Sequence, residues 1–416
     1  MPNEAYVWAW LPGATTPVVA GRVAAVSLQG RDSVTFEYQP TYLRNQAAIA
    51  LSPELPMAAG VQVPAKGLDV FGVLLDAIPD GWGRHVIDRT VLAREPGNFI
   101  AAAPDLFTYM LQSASDRIGG LDFQQSATDY LPRGPKHTPA LLDLVHAAEQ
   151  LERGDTFPES FADAVLPGTA AGGSRPKAII NIDNRSYIAK FSSTTDHFPV
   201  VKSEAVAMEL ARRLGIQTAH TQLENAGGRD VLLVQRFDRP SDGTRRMQVS
   251  ALTVLVKNPA TTRGATSYPG LADKIRESFT NPRATLAELF KRVVFNVMVR
   301  NTDNHARNEA AFWDGKHFTL TPAYDISPGS GRRDSVASHP MAITPDGDNR
   351  SLLAVCVKAA PVFQLTSTEA KQLVEEMDEM IRLNWDDAAT MAQLTTRQRR
   401  QLWEASVLNP AIYWSM

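Results

Sequence analysis

Between residues 286 and 298 the apolar side chains Leu286, Leu289, Phe290, Val293, Val294, Val297 and Met298 recur at spacings of three and four. That period predicts a helix with a buried face. Thr285 and Glu288 are spaced as a capping box and set its expected start. Similar patterns around 367–384 and 396–406 predict further helices, so the second half of the chain reads as mainly α. A different period governs the start. Tyr6 to Trp10, Arg22 to Leu28 and Ser33 to Tyr38 are short β-rich runs separated by Gly and Pro, predicting a small β module.

Around residue 130 the stretch LPRGPKHTP concentrates Pro132, Gly134, Pro135 and Pro139, too dense for a helix or a central strand. It predicts a boundary, followed by a helix capped by Thr138, striped by Leu141, Leu142, Val145, Ala148 and Leu151, and stopped by Gly154. Next comes a glycine-rich loop, Gly168 to Lys177. KAIINI and SYIAKF follow as a hairpin turning at Asp183-Asn184-Arg185. A helix from Ser203 to Leu214 ends at Gly215, and two more strands, near 218–224 and at 231–237, meet through AGGR. The whole is α+β, with a β-rich half and a helical half.

Composition narrows the function classes. The chain has 416 residues, 44% hydrophobic and 21% charged, the profile of a folded chain of two or three units. Its 42 basic and 45 acidic residues leave a net charge of −3, which excludes a nucleic-acid-coating protein. The single cysteine, Cys356, excludes an internal disulfide and, between Val355 and Val357, reads as a small core residue. The histidines lack metal-ligand spacing. No run approaches about 18 uncharged apolar residues. The start MPNEAYVWAW is not a signal peptide, and a cytoplasmic location is expected.

Four features in order point to phosphoryl transfer from ATP. The loop Gly168-Thr169-Ala170-Ala171-Gly172-Gly173 lets backbone N–H groups approach phosphate oxygens. Lys190 ends a strand one hairpin later, and Glu204 stands on the next helix, the order in which kinases pair a strand lysine with a helix glutamate. Asp303 and Asn308, five positions apart and leaving a buried helix, match the need for a carboxylate on the attacking hydroxyl and an amide oxygen for Mg²⁺. Asp325, after the β-like run Phe318 to Leu320, supplies a second metal ligand. Gly329 to Ser335 lies where kinases keep a mobile activation segment, and equally reads as a plain flexible loop.

TDNHARN followed by TPAYDI, with GGSRPK and LLVQRFDR upstream and HPMAITPDGDNR downstream, resembles the HipA-type serine/threonine kinase toxins of bacterial toxin–antitoxin systems. The resemblance covers nearly the whole chain. It implies a protein-kinase-like HipA fold with a β-rich N-terminal half and an all-helical C-terminal half. The implied parts are an N-terminal β-rich module over 1–130, a nucleotide-binding α/β lobe over 131–255 and a helical catalytic lobe over 256–416. It also implies ATP with Mg²⁺, a protein substrate phosphorylated on Ser or Thr (an aminoacyl-tRNA synthetase among the candidates), and a HipB-like helix-turn-helix antitoxin through which any DNA contact is indirect.

Residue by residue, the resemblance makes Asp303 the catalytic base and Asn308 and Asp325 the metal ligands. Gly172, Gly173, Ser174, Arg175 and Lys177 match the phosphate loop, and Lys190 the phosphate lysine. Gln235, Arg236 and Phe237 match the adenine hinge, and His305, Arg307 and Tyr324 line the nucleotide. The family often carries an autophosphorylated Ser just before the loop. Here Ala170 takes that place, which makes Thr169 the expected acceptor. Two rivals remain at this stage: a small-molecule kinase of the aminoglycoside or choline kinase type, and a non-catalytic corepressor bound to an antitoxin–DNA complex.

Overall fold

The computed structural model describes residues 3–28, 31–94, 104–134, 139–153, 169, 172–173, 175–193, 196, 198–258, 266–331 and 335–414. The expected cap Thr138, the stop Gly154, the loop residues Gly168, Ala170, Ala171 and Ser174, and the middle of the Gly329 to Ser335 stretch lie outside them. The chain forms two compact units: one of Met1–Thr195, Glu224–Val249 and Trp313–Gly315, the other of Asp196–Leu223, Ser250–Phe312 and Lys316–Met416.

The first unit holds two antiparallel sheets. One has strands β1 (Glu4–Ala9), β2 (Val18–Leu28), β3 (Arg31–Tyr38), β4 (Val61–Gln62) and β5 (Leu121–Gln124) in the order β4-β3-β2-β1-β5. Ala5, Val7, Ala9, Val23 and Phe36 are fully buried on it. Gly21 is glycine for a steric reason: a Cβ there would run into the Phe36 ring and the Glu37 carbonyl. Helices α1 (Pro40–Leu43), α2 (Gly72–Asp76), α3 (Gly81–Arg94) and α4 (Leu106–Gln112) interrupt what the sequence suggested was a mostly β module.

The second sheet follows helix α5 (Leu141–Arg153) and contains β6 (Lys177–Ile182), β7 (Arg185–Phe191), β8 (Thr221–Ala226) and β9 (Arg229–Gln235) in the order β6-β7-β9-β8. The expected hairpin is there, closed by Asp183 and Asn184 at φ of 46° and 61°. Two consecutive positive φ values match the right-handed twist of the strands they join. Ala178, Ile180, Tyr187, Ala189, Phe191, Val231 and Leu233 form one face, packed under Leu144, Val145 and Ala148 of α5. Lys177 and Lys190 pair directly across β6 and β7 on the other face.

The second unit is built from α6 (Val200–Arg213), α7 (Tyr268–Ser278), α8 (Pro282–Met298), α9 (Leu353–Lys358), α10 (Ser367–Met391) and α11 (Thr396–Ala405). It is not purely helical, because short strands β10 (Ala310–Trp313) and β11 (Phe318–Leu320) flank the turn after Asn308. α8 is its centre: the seven apolar residues that predicted it are each at most 1% exposed. The helix starts at Pro282, three residues before the expected capping box. Proline suits a first-turn position whose N–H has no partner. Glu288 is therefore free for other work and accepts from the Gln217 N–H at 3.0 Å. α6 likewise starts earlier than expected, at Val200, and ends as read, with Gly215 at φ 72°. Cys356 is fully buried and its thiol is pushed up to about 12 by burial. No helix among the described residues is long and apolar enough to cross a membrane.

Candidate active site

The expected site residues fall into one group in each unit. In the first, Gly172 and Gly173 both adopt left-handed conformations, φ 68° and 83°. The Lys177 ammonium folds back to donate to the Gly172 carbonyl, and a Cβ on Gly173 would strike it. Glycine is the residue that tolerates both demands. Like charges directly across a strand pair repel. Lys177 and Lys190 are placed that way beside backbone free of Cβ atoms, the first buried and the second half-buried.

The loop is braced by residues the sequence reading passed over. Trp82, in the first turn of α3, donates its backbone N–H to the Gly173 carbonyl at 2.8 Å and its indole N–H to the Lys177 carbonyl at 3.1 Å. Gly83 lies so close to the Thr169 carbonyl that any Cβ would collide. The Gly-Trp-Gly pattern that opens α3 was the available signal. Thr169 itself is fully buried, and its hydroxyl oxygen lies 3.4 Å from the Ala114 N–H, so no phosphoryl group reaches it while it sits there.

The expected hinge has a rigid back. Arg236 is 3% exposed and its guanidinium binds Asp238 at 2.9 Å and Asp116 at 3.0 Å. Asp238 also accepts from the Gly119 N–H at 2.7 Å and from Arg239 at 2.9 Å. Nearby, the fully buried Arg117 binds Asp122 at 2.7 Å, and Arg133 reaches the same carboxylate at 3.0 Å. The two guanidinium groups hold the Asp238 carboxyl below its ordinary range against the opposing effect of burial. The Arg236 backbone N–H is committed to the Ser186 carbonyl at 2.8 Å, while Gln235 and Phe237 are half-buried.

In the second unit, α8 delivers the chain into a tight turn. The Asn301 amide donates to Asn296 Oδ1 at 2.8 Å, His305 N–H to the Asp303 carbonyl at 2.8 Å and Asn308 N–H to the His305 carbonyl at 2.8 Å. Asn308 Nδ2 donates to the Asp303 carbonyl at 3.3 Å, which leaves its Oδ1 as an acceptor. Asp303 is exposed, and among the described residues its carboxylate makes no hydrogen bond or ion pair. His305 Nδ1 is buried with no hydrogen-bond partner among them. Such an orphan asks for an explanation, and a bound ligand is one.

Beneath the turn lies a buried polar strut. Arg292 of α8 donates to Glu288 at 3.1 Å, to Glu309 at 3.4 Å and to the Thr321 carbonyl at 2.8 Å. Glu309 accepts from Asn304 at 3.2 Å, and Asn304 also donates to the Tyr268 hydroxyl at 2.8 Å. Burial raises the Glu309 carboxyl against the pull of Arg292. The Tyr324 hydroxyl donates to the Arg307 carbonyl at 2.6 Å. Asp325, next to it, sits at φ 57°, a conformation that costs a non-glycine residue energy and persists where surroundings enforce it. Glu204 is buried on α6, and Arg307 is exposed. Among the described residues no group of three or more His, Cys, Asp or Glu forms a metal cage.

Two family models match this chain: the HipA N-terminal domain over residues 18–124 and the HipA-like C-terminal domain over residues 169–385. Y4mE of Sinorhizobium fredii, provisionally named a kinase, is 24% identical over 325 residues, covering 74% of this chain and 75% of its own. The serine/threonine-protein kinase toxin HipA of Shewanella oneidensis is 24% identical over 354 residues, covering 77% and 76%. Among solved structures, that of Shewanella oneidensis MR-1 HipA with HipB and operator DNA aligns over 95% of both chains with a TM-score of 0.66 and 17% identity. The C-terminal model alone spans more than half of the sequence, and the chain belongs to the HipA family of toxin–antitoxin kinases.

Proposed function

We propose that this chain is an ATP- and Mg²⁺-dependent protein kinase that phosphorylates a Ser or Thr hydroxyl of a cellular protein, as the toxin of a toxin–antitoxin pair. The observation that carries the reading is the turn after α8. Asp303 presents an uncommitted carboxylate, and the bonds to its backbone carbonyl, with the strut below, fix where it points. Asp303 orients the attacking hydroxyl and takes its proton. Asn308 Oδ1 and the Asp325 carboxylate are the two protein oxygens toward Mg²⁺, which typically takes one or two carboxylates beside phosphate oxygens and water. The ion, when bound, neutralises charge on the phosphates.

Lys190 and Lys177 contact the phosphates with the Gly172, Gly173, Ser174 and Arg175 loop. The Gln235 to Phe237 stretch meets adenine, and His305, Arg307 and Tyr324 line the nucleotide. With Arg236 N–H already donated to Ser186, adenine contact there falls to the remaining backbone groups. Autophosphorylation at Thr169 requires the residue to leave its buried place first.

The Shewanella HipA structure contains HipB and operator DNA. For this chain we infer a HipB-like helix-turn-helix antitoxin, with DNA met only through it, in keeping with the net charge of −3. The test is transfer of labelled γ-phosphate with Mg²⁺ in a ribosome-free cell extract by wild type and Asp303→Asn. A labelled protein band seen only with wild type supports the reading and identifies the substrate. ATP binding without any labelled protein would shift it to a small-molecule kinase or a binding partner.

A further inference from the structure

We propose that Ser335 is a phosphorylation site and that Arg300 is the residue that holds its phosphoryl group against the catalytic turn. The inference rests on the kinase reading for its phosphoryl donor, but its recognition element stands on geometry alone.

Arg300 leaves α8 three residues before Asp303, at φ 54°, and is only 7% exposed. Its guanidinium donates from Nη1 to the Ser335 carbonyl and from Nη2 to the Ser335 hydroxyl oxygen, both at 3.1 Å. Both acceptors are neutral. Among the described residues no carboxylate lies within ion-pair distance of Arg300. A buried guanidinium with five N–H donors and neutral partners is under-compensated. Every other guanidinium as deeply buried among the described residues binds Asp or Glu: Arg117 with Asp122, Arg236 with Asp238, Arg292 with Glu309.

Two glycines ahead of Ser335 meet the same turn. Gly329 N–H donates to the Arg300 carbonyl at 2.9 Å, and Ser406 donates its hydroxyl to the Gly329 carbonyl at 2.8 Å. Gly331 lies so close to the guanidinium that a Cβ would collide with it. Gly329 lies four residues after Asp325 and is bonded to the residue three before Asp303, so this contact ties the chain after the proposed metal-ligand aspartate to the start of the catalytic turn. Ser335 is half-buried and its neighbour Val336 is exposed, and transfer to the hydroxyl requires Arg300 Nη2 to release it first.

A phosphoryl group on Ser335 Oγ places about two negative charges and three strong acceptors where the guanidinium now meets a neutral hydroxyl. Charge-assisted bonds of that kind are roughly twice as strong as neutral ones. In the transfer, Ser335 Oγ of one copy bonds to the γ-phosphorus of ATP held by another. The bond to the β,γ-bridging oxygen breaks, ADP leaves, and the hydroxyl proton passes to the second copy's Asp303 carboxylate.

The test has two arms. First, the full chain is incubated with Mg²⁺ and ATP and its peptides are mapped by mass spectrometry. Phosphate on the Ser335 peptide is expected, also in Asp303→Asn when mixed with wild type, and absent in Ser335→Ala. Phosphate confined to Thr169 or elsewhere overturns the proposal, as does labelling of a foreign protein with none on this chain. Second, phosphoserine is encoded genetically at 335 and thermal unfolding is followed with and without phosphatase treatment. The phosphate should raise the midpoint by about 2–4 °C. That rise should vanish in Arg300→Gln and persist in part in Arg300→Lys, which keeps the charge and loses the fork. An equal rise in Arg300→Gln overturns the role of Arg300. Failure of ATP turnover in the first arm refutes the kinase reading and self-phosphorylation together, whereas the second arm reads Arg300 without turnover.

Discussion

The Tyr324 hydroxyl donates to the carbonyl oxygen of Arg307 at 2.6 Å, and this bond ties the residue before Asp325 to the residue before Asn308. The two proposed metal ligands are thereby held through their chain neighbours. Tyr324→Phe removes one hydrogen bond, a loss of about 0.5–1.5 kcal/mol. We expect near-normal thermal stability with a several-fold higher Mg²⁺ concentration for half-maximal phosphoryl transfer. A Mg²⁺ titration of activity decides it, and an unchanged midpoint would remove Tyr324 from the ligand-aligning role.

Arg292 connects Glu288, Glu309 and the Thr321 carbonyl from within the buried face of α8. Removing one partner of a buried ion pair costs about 3–5 kcal/mol because the other charge stays buried. Arg292→Met should lose that much stability in urea titrations. Glu309→Gln should cost far less, since Arg292 keeps Glu288 as an ion-pair partner and the amide oxygen keeps an acceptor for Asn304. Equal losses for the two variants would mean that charge is not what matters at this position.

Some of this was legible in the sequence. The spacing of Leu286 to Met298 announced α8, and the turn residues Asp183 and Asn184 announced the hairpin, because both signals are local. The candidate residues Asp303, Asn308 and Asp325 were visible as a pattern in order. What escaped depends on distant partners. Arg292 and Glu288 are spaced four apart on one helix, and only the fold buries the arginine against Glu309 and Thr321. Arg236 is enclosed by Asp238 and by Asp116, a partner distant in the sequence. The capping box at Thr285 failed because Pro282 had already started the helix.

Trp82 shows the same limit and yields a further prediction. It acts on Lys177, far away in sequence, through one indole hydrogen bond at 3.1 Å. Trp82→Phe keeps the ring's bulk and the backbone bond to Gly173 but loses that donor. A cost of about 0.5–1.5 kcal/mol placed on loop geometry corresponds to roughly two- to twelvefold weaker ATP binding. We expect KM for ATP to rise by that factor with kcat unchanged. A fall in kcat with KM unchanged would show that the brace serves the chemistry and not the nucleotide.

Buried His339 and half-buried Glu54 should make stability depend on pH in opposite senses. Burial lowers His339 from 6.5 to about 4, with its Nε2 3.1 Å from the Ser351 hydroxyl. Between those values the unfolded chain binds a proton that the native chain refuses, so stability falls as pH drops, by up to about 3 kcal/mol. Glu54 is raised by burial from 4.5 to about 7, opposed by the Val73 N–H it accepts at 3.0 Å. There the native chain holds a proton the unfolded one has lost, so stability falls as pH rises from 4.5 to 7. The two slopes oppose each other over most of this window. His339→Gln should therefore leave a protein that loses stability toward neutral pH, and Glu54→Gln one that loses it toward acid. Urea titrations from pH 4.5 to 7.5 read the slopes directly. Parallel slopes in the two variants would show that at least one of these groups titrates as it does in water.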